Sequence, residues 1–216
     1  MILATIYLAT IGLAFGHKFK AQIREVPCSS NAKVGAVPQW FSSTNNLHVL
    51  KSFPKKEIPA LIDAVNEWNE VGIYKIVLIF DYLDLKSGIT GYNTIGMEHN
   101  ILNDELQNQL TQAITKPKYF FLVPNKGYIV GSDIVINGKQ NLSGIDMRTL
   151  LRHELGHFLG LQHKEDDSEL MNPTLGIYSV RKIGEWDKSQ LRCVAGIKYN
   201  ENDNSLASKT KNPKDL

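Results

Sequence analysis

The chain has 216 residues, 43% of them apolar and 21% charged, which excludes a disordered or low-complexity protein and suits one sizeable core or two small lobes. Its 24 basic and 22 acidic residues leave a formal charge of +2, too weak a field to call for nucleic acid or an anionic membrane surface as partner.

The first sixteen residues, MILATIYLATIGLAFG, are uncharged, apolar and end in small residues, with Ala14 and Gly16 placed for a signal-peptidase cut before His17. The run is shorter than the ~20 residues that cross a bilayer, so removal of residues 1–16 and export are expected, to a secreted, periplasmic or otherwise extracellular location. The absence of a basic segment ahead of it keeps an uncleaved anchor as the alternative. Cys28 and Cys193 are the only cysteines. In an oxidising compartment such a pair is a candidate disulfide, which would stabilise the fold by about 3–5 kcal/mol through the long loop it closes.

Residues 17–39 read as an extended lead-in or a short pro-segment, and residues 40–198 as the folded domain. Leu47–Leu50 is a short apolar stretch before a break at Pro54. From Glu57, the apolar positions Ile58, Leu61, Ile62, Val65 and Trp68 recur at three and four residues, the period of a helix that Gly72 ends. Tyr74–Tyr82 is rich in β-branched and aromatic residues and reads as a buried strand. The stretch 84–116 mixes glycines with ILNDELQNQLTQAI, suggesting loops and a partial helix. Tyr119–Val123 and Asp133–Asn137 read as strands. Asp187 is placed to cap a last helix running to about Ala195, with Gly196 as its stop. The polar residues 199–216 carry too little apolar surface to offset ordering and read as a mobile tail.

Half of the six histidines and one glutamate gather in RHELGHFLGLQH, residues 152–163. Asp146 is a plausible N-cap for a helix over about 147–159, which carries His153 and His157 on one face, about 5–6 Å apart at Cβ. Zinc at about 2.0–2.1 Å from each imidazole nitrogen bridges that gap. His163 joins them only if the chain reverses, and Gly160 supplies the left-handed backbone for that reversal. Three imidazoles with water in the fourth position form the open coordination of a catalytic zinc. Glu154 points to the neighbouring side of the helix, placed as general base for that water.

This pattern resembles the metzincin metallopeptidases, whose HExxHxxGxxH signature is matched by His153, Glu154, His157, Gly160 and His163. SELMNP then resembles the Met-turn of the matrixin branch, with Met171 as an apolar floor beneath the ligands. The resemblance implies a metzincin-like, two-lobed catalytic domain of α+β class, a mixed twisted sheet with three main helices. It implies one catalytic zinc; calcium is compatible with the family, but no residue here is assigned to it, nor to a second zinc. It also implies that Tyr119–Val123 is the antiparallel edge strand above the cleft, and that Leu175 lines a pocket for an apolar substrate side chain. Pro173 stands where some metzincins carry a tyrosine. The family's propeptide cysteine switch is not recognisable around Cys28, so the resemblance favours pairing of Cys28 with Cys193.

The reading that results is a secreted, monomeric zinc endopeptidase acting on protein or peptide substrates. Two alternatives stay open: a metzincin-like binding module that no longer cuts, and an exopeptidase.

Overall fold

A computed structural model describes residues 39–84, 91–98, 111–123, 126–139, 144–174, 176 and 179–197. The expected signal segment 1–16, almost all of the expected lead-in 17–39, Cys28, Leu175 and the C-terminal residues 199–216 lie outside the described residues. The fold is α+β. Six strands form one mixed sheet: β1 (Gln39–Trp40), β2 (Thr44–Val49), β3 (Lys75–Ile79), β4 (Thr94–Glu98), β5 (Ala113–Val123) and β6 (Lys126–Asn137). Among the described residues three α-helices accompany it: α1 (Ile58–Glu70), α2 (Met147–Phe158) and α3 (Glu185–Val194).

The strand order is β1-β6-β4-β2-β3, with β5 on the remaining edge of β6. All pairings are parallel except β5 with β6. Residues Leu47, Val49, Ile76, Ile95, Ile134 and Ile136 alternate along their strands onto one buried face, as the two-residue period requires. Against that face lies α1, whose Leu61, Ala64, Val65 and Trp68 form one buried stripe, while Ile62 stands outside it and is exposed. The side chain of Asn69 clamps the end of α1 to β3, donating to the Ile76 carbonyl at 2.9 Å and accepting from its amide at 2.7 Å.

α2 packs against α1, β5 and β6 and sits almost wholly inside the molecule. The Trp68 indole donates to the Arg152 carbonyl at 2.9 Å, and the Trp40 indole to the Phe158 carbonyl at 2.7 Å. Arg152 is itself buried and binds the Glu67 carboxylate and the Arg181 carbonyl. Leu161, Leu170, Met171 and Leu191, which follow α2, belong to the same apolar core as the sheet.

Four expectations need correction. Strand β3 ends at Ile79 rather than reaching Tyr82, whose φ of 47° lies in the left-handed region and breaks the extended backbone. Residues 84–116 are not only loop and helix, because β4 and the start of β5 fall within them. Tyr119–Val123 is only the second half of an eleven-residue strand. Asp187 is the third residue of α3, not its N-cap: its carboxylate reaches back to accept from the Gly184 amide at 2.7 Å.

Candidate metal centre

Asp146 caps α2 as its sequence position suggests, its carboxylate accepting from the Thr149 amide at 3.1 Å. One turn apart on this helix, His153 and His157 face the same way. After Phe158 the helix closes on a glycine cap: the Gly160 amide bonds to the His157 carbonyl and the Leu161 amide to the Gly156 carbonyl, both at 2.9 Å. Gly160 has φ 101°, a conformation that a β-carbon would strain, and the reversal it allows returns His163 to the helix face.

The three rings converge. His157 Nε2 lies 3.1 Å from His153 Nε2 and 3.0 Å from His163 Nε2. The edge of a zinc tetrahedron with about 2.05 Å bonds is roughly 3.3 Å, so the donor set fits such an ion with a shift of a few tenths of an ångström. Among the described residues this is the one His/Cys/Asp/Glu group with metal-ligand spacing.

Protonation is set by the outer face of the rings. His153 Nδ1 lies 2.8 Å from the Leu170 carbonyl, and His157 Nδ1 lies 2.8 Å from the Leu161 carbonyl. A carbonyl oxygen only accepts, so each Nδ1 carries the proton and each Nε2 keeps its lone pair for the centre. Burial lowers His153 to about 4, His157 well below the ordinary imidazole range, and His163 by a smaller step. Neutral imidazole is the state that binds a metal.

Glu154 is buried, and burial raises its carboxyl to about 7, opposed by a hydrogen bond from Thr115. The Thr115 hydroxyl lies 2.6 Å from Glu154 Oε2 and 3.1 Å from the Glu154 carbonyl oxygen. Thr115 was not visible as a site residue in the sequence, since it falls inside the stretch that read as loop and helix. No local pattern marks it; only the pairing of β5 with β6 delivers it.

Met171 is fully buried, its side chain against Gly156 in the middle of the histidine motif. A β-carbon on Gly156 would come within 2.5 Å of the Met171 sulfur and 3.3 Å of Trp68, so glycine at the middle of the motif is a packing requirement. The turn carrying Met171 is held by the Lys164 amide on the Met171 carbonyl at 2.9 Å and by Arg181, which donates to the Glu169 and Thr174 carbonyls, each at 3.1 Å. Cys193 is buried near the end of α3, and its expected partner Cys28 is not among the described residues. The residue proposed as a pocket wall, Leu175, likewise falls outside them.

Such an arrangement can hold one divalent cation through three neutral nitrogens, and Glu154, next to His153 in the same helix, adds a buried carboxylate. A family model described as Matrixin matches residues 49–194, from the end of β2 to the end of α3. No curated protein matches the chain.

Proposed function

Given that the chain belongs to the matrixin family of metallopeptidases, we propose that it is a secreted zinc endopeptidase with Glu154 as general base. The observation that carries this reading is the convergence of three Nε2 atoms on one point, two of them from the helix that also carries the buried Glu154. His153, His157 and His163 are the proposed zinc ligands. When bound there, zinc supplies Lewis-acid polarisation of a peptide carbonyl and eases ionisation of a water.

The chain's own groups do the rest. Glu154 accepts the proton of the attacking water on its free carboxylate oxygen while Thr115 holds the other, Oε2. Glu154 then returns that proton to the departing amine nitrogen. The Leu170 and Leu161 carbonyls hold His153 and His157 in the tautomer that keeps both Nε2 lone pairs inward. Met171 gives the rings an apolar floor, closing that side to water. We also assign Cys28 and Cys193 to one disulfide, residues 1–16 to a cleaved signal segment and Leu175 to a substrate pocket. Calcium is not assigned, and a monomer is proposed. No helix among the described residues is long and apolar enough to cross a membrane.

The test is digestion of a mixed protein substrate by the purified protein with and without a chelator, read by mass spectrometry. Internal fragments that vanish with chelator support the endopeptidase. Fragments trimmed only from chain ends favour the exopeptidase, and intact substrate favours a binding module.

A further inference from the structure

The open edge of β5 can be read residue by residue. In an antiparallel ladder, successive residues turn their backbone amide and carbonyl alternately toward the partner strand and away from it. The Asn137 amide donates to the Gln112 carbonyl at 2.8 Å, so residue 137 of β6 faces β5. Two residues at a time, Val135 and Asp133 do the same, while Ile136, Ile134 and Ser132 turn away. The Ser132 amide shows this directly, donating to Asn93 Oδ1 on the β4 side at 2.9 Å. Their partners across the ladder are Ala113, Thr115 and Pro117. These three therefore direct their backbone groups to the edge of β5 that no other described strand occupies.

Thr115 marks the level of the chemistry, since its hydroxyl touches the Glu154 carboxylate. An extended peptide adding to this edge would meet a donor and an acceptor at Ala113 and again at Thr115. At Pro117, about 6.8 Å farther along, it would meet an acceptor alone, because proline has no amide hydrogen. Immediately beyond, the register shifts between Lys118 and Tyr119, so the regular ladder ends there too. Proline is tolerated at this position for the reason that makes it informative: its missing donor faces outward, not into the sheet.

We propose that Pro117 is a specificity-determining residue that stops backbone pairing of the peptide substrate two residues from the level of Glu154. The substrate carbonyl opposite Pro117 gains no hydrogen bond from the rim, and selection beyond it falls to side chains. This inference rests on the peptidase reading. It also moves the working part of the rim from Tyr119–Val123, where sequence had placed it, to Ala113–Pro117.

The experiment compares Pro117→Ala with the wild-type protein on peptides lengthened one residue at a time on either side of the cleaved bond. The variant restores one donor. For peptides long enough to cover position 117 on one side, the kcat/KM ratio of long to short peptide should rise about 2-fold to about 10-fold, through KM. Equal length dependence in both proteins would overturn the proposal. A thioamide scan of the longer peptide with wild-type protein gives a second reading that no folding defect can blur. The weakened acceptor opposite Pro117 should leave kcat/KM unaltered, and a loss there would contradict the inference. If the wild type cuts none of these peptides, the peptidase reading itself fails, an outcome distinct from cleavage that ignores Pro117.

Discussion

The two halves of the histidine set are built differently. His153 and His157 ride on a buried helix, each with its outer nitrogen on a backbone carbonyl. His163 lies on an exposed stretch after the turn, and among the described residues nothing meets its outer nitrogen. Helical geometry alone aligns the first pair. The third depends on tertiary supports: the positive φ of Gly160 and the Lys164–Met171 backbone bond beside it. Ligand spacing is thus a local property for two residues and a property of the whole turn for the third.

The largest effect should come from the helical half. Glu154→Gln keeps the shape and the three imidazoles but removes the base, so kcat should drop on the order of 10³-fold with metal content unchanged, by steady-state assay and elemental analysis. A drop with lost metal would place Glu154 among the supports instead. The turn is broken by Gly160→Ala, which forces a β-carbon into a backbone conformation costing about 1–3 kcal/mol. Metal affinity should weaken while α2 keeps its helicity, measured by competition with a chelator and by circular dichroism. Unaltered affinity would mean that His163 is held by something other than this reversal.

Asp187 tests the second half through its charged neighbours Glu169 and Lys164. Burial raises its carboxyl to about 6, Glu169 adding to the rise while the Gly184 amide and Lys164 oppose it. A folded-state value above the unfolded one means that Asp187 favours folding most when protonated, at pH below about 4, and that this contribution is lost as pH rises through about 6. Discounted for solvent screening, the loss is about 2 kcal/mol. Asp187→Asn retains an acceptor for Gly184 without the charge. Between pH 4 and 7 the wild type should therefore lose about 2 kcal/mol relative to the variant, in urea melts at each pH. A parallel pH dependence of the two would exclude the buried carboxyl as its source.

The smallest effect lies on the rim. Thr115→Val removes the hydroxyl from Glu154 and should lower kcat about 10-fold, with Thr115→Ser restoring most of it, as expected for one hydrogen bond to a charged group. Equal defects in both variants would assign Thr115 to packing alone.

What sequence revealed follows the same division. The stripe Leu61, Val65, Trp68 and the capped run from Asp146 are patterns of one helix and could be read locally. The histidine motif adds a glycine at a fixed offset, which is also local. β4 was missed because Gly96 reads as a loop, whereas it lies in a strand where a β-carbon would meet the Ser52 hydroxyl at 2.7 Å and Leu50 at 3.0 Å. The beginning of β5 was missed because Lys116 and Pro117 have weak strand character and Ala113 and Ile114 close a run that also permits a helix; pairing with β6 makes the segment a strand. Asp187 was misplaced by three residues because a side chain reaching back to Gly184 leaves the same mark in sequence as a cap.

The central claim is that three imidazoles from a helix and a turn hold one zinc ion. Elemental analysis of the purified protein, beside His157→Ala, tests it most directly. The account predicts one zinc per wild-type chain and none in the variant. A wild-type protein that neither contains nor takes up zinc, or a variant that binds it equally, would contradict it.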